Sequence, residues 1–442
     1  MIHFIAIILT GIACSLYMFP FSFTFLPVGN TKIYLAVCGL VLFFLNQIRN
    51  RQQVSSHFMV TVSLAAFVVS LICIVSLLYN ETNDTTYAIY IIQMWVWTGG
   101  AYFVTRCMKS VHGNVTVELI AFYVVGVCAI QCFFALMNEF IPVFKGWVDT
   151  YVEQETANLN RLDRMYGIGA SLDTGGSRFA CALILLSHIL MRYANKNNGR
   201  IILLAFLFIF IFITGNMVAR TTLAGGIIAI LYLLYCLREG INGSAQKVFL
   251  LFAAVLAVTI PILTSLYYSS VEVKDMFRFA FEAFFNLSEK GSIKTGSTND
   301  LLLMWQQVPQ ELRTWIIGDG YFLSPHFTNP YYTGHLYGAY HMGTDVGYLR
   351  FIFYFGITGL LAFAYFFVLC TRECRKKYPA HKVLFILLLV MNYVLWIKVA
   401  TDLFFIYALF LVADDSMAEE DECSTVRQVA SVSYTHLRAH ET

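Results

Sequence analysis

Charged side chains are scarce in this chain of 442 residues: they make up 13%, against 58% hydrophobic residues, and the mean hydropathy is +0.67. Such a composition cannot cover the surface of a water-soluble globule, which excludes soluble enzymes and soluble binding domains. The sequence therefore predicts an all-α polytopic membrane protein. A formal net charge of only +2 gives no basic excess that would indicate nucleic acid as a partner.

Cysteine and histidine show no pattern typical of disulfides or metals. The 11 cysteines fall almost entirely within or beside apolar runs, and none lies in the long polar segment 269–345. That segment carries His326, His335 and His341 without the HExxH or HxxxH spacing of a metal site. We therefore expect neither a disulfide framework, nor a bound metal, nor another cofactor. The first apolar run lacks a basic segment before it, so it predicts a retained helix and not a cleaved signal peptide.

Apolar segments long enough to cross a membrane, about 20 residues each or somewhat fewer, are the main feature of the chain. We predict about twelve of them, at about 2–20, 31–48, 58–80, 87–107, 117–140, 177–193, 201–219, 222–237, 248–268, 346–370, 383–397 and 402–413. Lys398 and Asp402 interrupt the last run, so a single tilted helix stays open as an alternative to the last pair.

Lysine and arginine collect in alternate short connections, which the positive-inside rule assigns to the cytoplasm. These residues are Arg49, Arg51, Arg106, Lys109, Arg192, Lys196, Arg200, Arg238, Lys247, Arg372, Arg375, Lys376, Lys377 and Lys382. Both termini are then cytoplasmic, and the two long loops are on the outer side.

The predicted organisation follows from these loops. Helices 1–5 occupy residues 1–140, helices 6–9 occupy 177–268, and helices 10–12 occupy 346–413. The first long outer loop is 141–176 and the large one is 269–345. Residues 414–430 form an acidic cytoplasmic tail, and 431–442 resemble translated sequencing-adaptor read-through, which we exclude from the fold.

The large loop contains two stretches with a helical period. The stretch 273–291 places Met276, Phe277, Ala280, Phe281, Phe284 and Phe285 on one stripe, as in a helix lying in the bilayer interface. The stretch Leu301–Gly320 repeats the pattern, and Pro309 is expected to kink or end its first part. The aromatic, histidine-bearing segment after it has no period and predicts an ordered loop.

Several arginines at the outer boundary are candidates for anion binding. Arg220 stands where two apolar helices meet with almost no loop, so its guanidinium could grip a phosphate or reach to lipid phosphates. Arg164 and Arg178, with Arg161 nearby, flank a glycine-rich turn at a helix start, which is either an anion cradle or a flexible loop with solvated arginines.

Other ionisable residues near the outer side are candidates for proton transfer. His341 or Asp345 could orient or deprotonate a hydroxyl group, although most loop histidines are simply exposed. Asp345 and Arg350 flank the entry into a membrane helix and could pair with each other or face a shared cavity, where Arg350 would be a further candidate for binding a diphosphate. The same two alternatives hold for Lys398 and Asp402.

Four features together resemble bacterial O-antigen polymerases and the related O-antigen ligases. They are the arginine- and glycine-bearing loop Arg164–Arg178, the hairpin ITGNMVARTTLAGG, the large loop with WIIGDG, and the tract GTDVGYLRFIFYFGITG. The resemblance implies a fold of the membrane-embedded glycosyltransferase C type in the bacterial inner membrane, acting without a metal. Its expected partners are glycans linked to polyprenyl diphosphate, membrane lipids and a chain-length regulator.

The resemblance also implies roles for particular residues. Arg220 corresponds to the hairpin arginine that holds the diphosphate, with Arg164 or Arg178 as the loop arginine. Ligase-like relatives have a histidine near the helix after the large loop, where this chain reads Thr344-Asp345. A polymerase is therefore the first expectation and a ligase the second. A polysaccharide flippase or a transporter is a third possibility, although no internal repeat typical of transporters is evident.

Overall fold

A computed structural model describes residues 2–26, 29–50, 56–154, 164–193, 198–238 and 244–413 of the chain. Within these ranges the regular secondary structure is helical apart from two strands of two residues each, and irregular connections join the helices. The predictions concerning Arg51, Arg161, Lys196 and residues 414–442 lie outside the described residues.

The helices that build the bundle begin and end close to the predicted apolar segments. They are α1 (Ile2–Met18), α2 (Thr31–Asn50), α3 (Ser56–Asn80), α4 (Tyr90–His112), α5 (Val117–Phe140), α7 (Leu172–Tyr193), α8 (Asn198–Val218), α9 (Thr221–Arg238), α10 (Ser244–Ser269), α15 (Gly347–Lys377), α16 (Lys382–Leu395) and α17 (Phe404–Val412). The last apolar run is thus two helices joined by residues 396–403, and not one tilted helix.

Eight helices in the described part of the chain are long and apolar enough to cross a membrane: α2, α3, α5, α7, α8, α9, α10 and α15. The other bundle helices are either shorter, as in α1, α16 and α17, or less apolar, as in α4, which carries polar residues such as Gln93, Thr98 and Arg106. The chain is therefore an all-α, multi-pass membrane protein, as the composition predicts.

Contacts between the connections place them at two ends of the bundle: Asp173 contacts Thr221 and Lys398 at one end, and Arg192 contacts Glu118 and the Ala380 carbonyl at the other. One end, here called the loop end, holds residues 141–171, 219–220, 270–346 and 396–403. The other, the basic end, carries Arg49, Arg106, Lys109, Arg192, Arg238, Arg375, Lys376 and Lys377. All the candidate site residues named above lie at or near the loop end.

Two helices form the centre of the bundle. Every residue of α17 is buried, and α7 is buried without interruption from Gly175 to Leu190, as expected for helices that are apolar on all sides. The short α17 is tied at the basic end by Lys377, whose ammonium donates to the carbonyls of Phe410 and Leu411 at 3.1 and 2.9 Å and also to that of Ala413. This cation neutralises the negative end of the α17 helix dipole.

Small residues bring α7 and α9 into close contact. A Cβ atom on Gly225 would overlap the backbone of Ala180, and one on Gly176 would lie 2.8 Å from the Ala219 Cβ. In a lipid environment such close backbone packing replaces the hydrophobic effect as the main attraction between helices. The result is a fixed position for the connection Ala219–Arg220 beside the start of α7.

The two long connections contain more structure than a plain loop. The first includes α6 (Pro142–Tyr151) and β2 (Val152–Glu153), which pairs antiparallel with β1 (Ser22–Phe23), and α7 starts at Leu172, earlier than predicted. The second contains α11 (Val271–Ala280), α12 (Glu282–Lys290), α13 (Gly296–Met304) and α14 (Leu312–Ile316). The predicted stretch Leu301–Gly320 is thus interrupted, with α13 ending before Pro309 as expected from the missing N–H of proline.

Candidate functional site

Arg220 is held in a fixed orientation at the loop end by the large loop. Its Nε donates to the Phe279 carbonyl at 3.0 Å, and its Nη1 donates to Ser297 Oγ at 2.9 Å. Its Nη2 forms an ion pair with Glu282 Oε2 at 2.6 Å, and the Arg220 side chain is 22% exposed. Three different groups of the loop therefore fix the planar fork of the guanidinium, while part of the side chain remains accessible.

Arg164 meets Arg220 at a shared aromatic ring. The guanidinium carbons of Arg164 and Arg220 lie 3.9 and 4.2 Å from the centre of the Phe279 ring. Burial, and then the positive charge of Arg220, lower the pKa of Arg164, while Asp173 and Glu282 act in the opposite direction. The ring is negative on its face, so it stabilises both cations at a distance where they would otherwise repel each other.

Asp173 connects this arginine pair to the rest of the loop end. Its Oδ1 accepts a hydrogen bond of 2.6 Å from the hydroxyl of Thr221, the residue that follows Arg220. The same oxygen forms an ion pair with Lys398 Nζ at 3.3 Å. Asp173 and Lys398 are 36% and 42% exposed. The Asp173 carboxylate thus joins the first turns of α7 and α9 to the α16–α17 connection.

Asp345 lies on the same side of the molecule, just before α15. Its side chain is exposed, yet desolvation by surrounding protein raises the pKa of its carboxyl above the ordinary value, against the opposing effects of Arg350 and Lys398. The charge of Asp173 raises the pKa of Asp345 further. A carboxyl group that is accessible but surrounded by protein is typical of a cleft, and a raised pKa suits a general base.

Arg178 and Arg350 are buried instead of facing the arginine pair. Arg178 donates to the carbonyl groups of Met18 and Thr174, and its guanidinium lies 4.6 Å from the centre of the Phe405 ring. It therefore holds α1, α7 and α17 together. Of the two loop arginines that the sequence left open, Arg164 is the one beside Arg220.

The Arg350 guanidinium is stacked between two aromatic rings of the large loop. Its central carbon lies 3.4 Å from the centre of the Tyr340 ring and 3.8 Å from that of Phe322. Among the described residues its Nε has no hydrogen-bond partner. Arg350 fixes the aromatic part of the loop over α15, and its charge acts on Asp345 through space.

His341 belongs to the framework of the large loop. Its Nε2 lies 3.4 Å from Asp319 Oδ2, and its ring packs edge-on against Phe353 at 5.6 Å. Asp319 in turn accepts a 2.6 Å hydrogen bond from the Thr314 hydroxyl. The structure therefore places His341 with the WIIGDG segment, while the charges that act on Asp345 are those of Arg350, Asp173 and Lys398.

Two of the four tracts singled out in the sequence, WIIGDG and GTDVGYLRFIFYFGITG, dock onto each other. Gly356 breaks the helical conformation inside α15, with φ 69° and ψ −177°, and the carbonyls of Phe353 and Tyr354 then accept from the N–H groups of Asp319 and Gly320. A Cβ atom at Gly356 would overlap the Ile316 carbonyl. Only glycine adopts this backbone region readily, so it is required where α14 and WIIGDG contact α15.

The connection between α3 and α4 fastens the same part of the loop from the other side. The buried Asp84 carboxylate accepts hydrogen bonds from the N–H groups of Phe322 and Leu323, at 2.8 and 2.9 Å, and from Thr86. Thr82 and Asn80 bind the carbonyls of Gly320 and Gly318. These bonds position the segment from which Tyr340 and Phe322 reach Arg350.

In the glycine-rich segment between Arg164 and Arg178, which runs into the first turns of α7, the N–H groups of Gly167 and Gly169 are already bonded within the chain, to the Ala170 carbonyl and to Gln154 Oε1. The N–H of Gly175 donates within the chain to the Ser171 carbonyl, and Gly176 provides space for α9. The first turn of α7 also carries the negative Asp173. The candidate anion site is therefore formed by arginine side chains, with no contribution from glycine N–H groups.

Sequence reasoning missed Asp173, Phe279 and Glu282. An aspartate in the first turn of a helix is usually explained by the helix dipole, so Asp173 gave no separate signal. Phe279 and Glu282 lie off the predicted apolar stripe and share a face with Asp275 at a spacing of four and three residues. An aromatic residue on the acidic face of an interfacial helix was the available signal.

The arrangement is suited to binding a multiply charged anion. The guanidinium groups of Arg164 and Arg220 and the ammonium group of Lys398 lie at the loop end, together with the carboxylates of Glu282 and Asp173. Within the described ranges, no three His, Cys, Asp or Glu side chains converge as a metal site requires. Comparison of the chain with protein-family models, curated proteins and solved structures finds no match.

Proposed function

We propose that this protein is a glycosyltransferase that polymerises an O-antigen or capsular polysaccharide. It moves the growing glycan from one polyprenyl diphosphate onto a second lipid-linked repeat unit. The observation that supports this best is the meeting of Arg164 and Arg220 on the ring of Phe279, where the charge of Asp173 acts on both Arg164 and the exposed Asp345. Transfer of a glycan from a diphosphate to an acceptor hydroxyl needs cations that bind the diphosphate and a base that accepts the hydroxyl proton.

The reaction on these residues is an inverting displacement. The acceptor hydroxyl oxygen forms a bond to the anomeric carbon of the donor glycan, and the bond from that carbon to the diphosphate oxygen breaks. The proton of the hydroxyl passes to the Asp345 carboxylate, whose raised pKa makes it a better base than an ordinary aspartate. The electron pair of the broken bond remains on the diphosphate, where Arg220 and Arg164 stabilise the growing charge.

The proposed setting is the bacterial inner membrane with about twelve crossings and the architecture of a C-type glycosyltransferase. By the positive-inside rule, the arginines and lysines of the basic end support a cytoplasmic position for that end and for both termini, with the loop end toward the periplasm. The lipid-linked glycans then reach the site from the outer leaflet. A chain-length regulator is a further proposed partner.

Deletion and complementation of the gene in its host tests this function. The surface polysaccharide is resolved by size, and the lipid-linked intermediates are extracted in parallel. Collapse of the ladder to a single repeat unit, restored by the wild-type gene, is the expected result. Long chains stranded on polyprenyl diphosphate would show a ligase instead, repeat units trapped on the cytoplasmic face a flippase, and an unchanged profile would overturn the proposal.

A further inference from the structure

A long apolar groove runs between α1 and α5, away from the charged site. Its volume is about 720 Å³, within the range of ligand pockets in proteins. Its lining includes Ile8, Gly11 and Ile12 from α1, Gly126 and Ile130 from α5, and Ile168 from the first long connection. Only a few polar side chains line it, among them Ser15 and Gln131 toward the loop end.

The groove has the shape of a site for an extended chain. Along α5 its lining runs from Leu119 to Phe134, and at 1.5 Å per residue this spans about 22 Å of the helix axis. The hydrocarbon core of a membrane is about 30 Å thick. The groove therefore follows most of the depth of one bilayer instead of forming a compact pocket.

The groove opens toward the lipid. Ile8, Ile12 and Ile130 line it and are also 46%, 50% and 51% exposed. In a bundle that crosses a membrane, exposed isoleucines on α1 and α5 face hydrocarbon. A lipid chain can therefore enter from the side without passing through water.

The end of the groove near the loop end is joined to the arginine pair by a short stretch of chain. Ile168 lines the groove, and its N–H donates to Gln131 Oε1 at 3.0 Å. Arg164 is four residues earlier, and four extended residues span at most about 14 Å. A chain in the groove would thus carry its head group to within reach of Arg164 and Arg220.

We propose that this groove binds the polyprenyl chain of a lipid-linked substrate while the diphosphate reaches Arg164 and Arg220. The proposal rests on the proposed function. A polyprenyl diphosphate has one chain for one groove and more than one negative charge for two guanidinium groups. A phospholipid has two chains and a phosphodiester with a single charge, so it fits the site less well.

Two glycines allow the groove to be filled without disturbing the fold. A Cβ atom on Gly11 or Gly126 would have no neighbour within 4 Å among the described atoms, and neither residue has a positive φ. The variant carrying both Gly11→Leu and Gly126→Leu therefore places side chains in the groove itself. Gly146→Leu is the matched control, because Gly146 also has an open Cβ position but lies on α6, outside the groove.

The test uses the full chain, purified into lipid nanodiscs, and a polyprenyl diphosphate with a photoreactive group in its chain. We expect crosslinked peptides from α1 and α5, a tenfold or greater loss of crosslinking in the double variant, and no loss in Gly146→Leu. Size-exclusion profiles equal to wild type establish that the variants are folded. A photoreactive phospholipid of similar chain length is the second probe.

Three results would overturn the groove proposal: crosslinks that map elsewhere, equal crosslinking of the double variant, or equal crosslinking of the α1 and α5 peptides by the phospholipid probe. If any of these occurs while polymer formation still requires Arg220, the groove is wrong and the proposed function stands. If the chain neither binds the diphosphate probe nor makes polymer, the proposed function fails as well.

Discussion

At the scale of single residues, two positive charges share one aromatic ring. Arg164 and Arg220 would repel each other in a site with little water, and Phe279, Glu282 and Asp173 compensate for that repulsion. Glu282 occupies one side of Arg220 in this structure, and Ser297 occupies another. The guanidinium of Arg220 is therefore already oriented before substrate binds, which lowers the conformational entropy lost on binding.

Arg220→Ala is expected to reduce the rate of glycan transfer by on the order of 10²-fold or more, because a fixed donor to the leaving group is lost. Arg220→Lys is expected to recover little of the rate, since an ammonium group cannot reproduce the three directed contacts. The measurement is transfer in membranes with a lipid-linked repeat unit.

Arg278→Ala is the control for this experiment. Arg278 lies on the same helix as Phe279 and forms an exposed pair with Glu289 at 2.7 Å, so its loss should leave the rate nearly unchanged. Equal rates for Arg220→Ala and Arg278→Ala would contradict the role assigned to Arg220.

Asp345 is expected to control the acid side of the pH profile. Its carboxylate form is the base, so the rate should rise as pH increases through a pKa above that of an ordinary aspartate and fall on acidification. Asp345→Asn should lower the rate by about 10²–10⁴-fold and remove the acid limb. An Asp345→Asn enzyme that keeps both its rate and its acid limb would exclude Asp345 as the base.

At the scale of elements, the large loop is positioned by a break in a membrane helix. Gly356 interrupts α15, which frees the carbonyls of Phe353 and Tyr354 to bind Asp319 and Gly320. Asp84 binds the same segment from the α3–α4 connection. The main chain of the loop is thus hydrogen-bonded both to α15 and to the α3–α4 connection, and burial within the protein strengthens these bonds.

Gly356→Ala should destabilise this attachment. Its Cβ would overlap the Ile316 carbonyl, and the backbone conformation alone costs about 1–3 kcal/mol for a residue other than glycine. We expect a lower melting temperature in detergent and faster proteolysis between Leu312 and Met342. Gly146→Ala, whose Cβ meets nothing within 4 Å, should behave as wild type; identical proteolysis of the two variants would refute the attachment.

At the scale of the whole molecule, charge and chemistry are separated between the two ends of the bundle. The candidate site lies at the loop end, and clusters such as Arg375, Lys376 and Lys377 lie at the basic end. If the basic end faces the cytoplasm, the site faces the periplasm, where polymer is assembled in the proposed function. A reversed orientation would be incompatible with that function.

Labelling of single cysteines tests this orientation. Tyr331→Cys, at a position 89% exposed in the large loop, should react in intact cells with a membrane-impermeant maleimide. Asn114→Cys, in the exposed connection after α4, should react only after the cells are permeabilised. The native cysteines are replaced by serine in both proteins. The opposite pattern would reverse the topology.

The sequence by itself determined the class of protein and the positions of the helices. Composition required a membrane protein, and each predicted apolar segment contains a helix because apolar surroundings demand that backbone hydrogen bonds be made within the segment; in the described part of the chain, eight of these helices are long and apolar enough to cross a membrane. Arg220 could be singled out because charge is rare at a junction of two apolar helices. The proline at position 309 correctly predicted a break.

Only the tertiary structure decided which charges meet. Arg164 and Arg178 were equal candidates in the sequence, but Arg178 is buried against Met18 and Phe405, and Arg164 lies on Phe279 beside Arg220. Phe279 is 59 residues from Arg220 in the chain. Such contacts depend on how α7, α9 and the large loop pack, and no local period of the sequence records that packing.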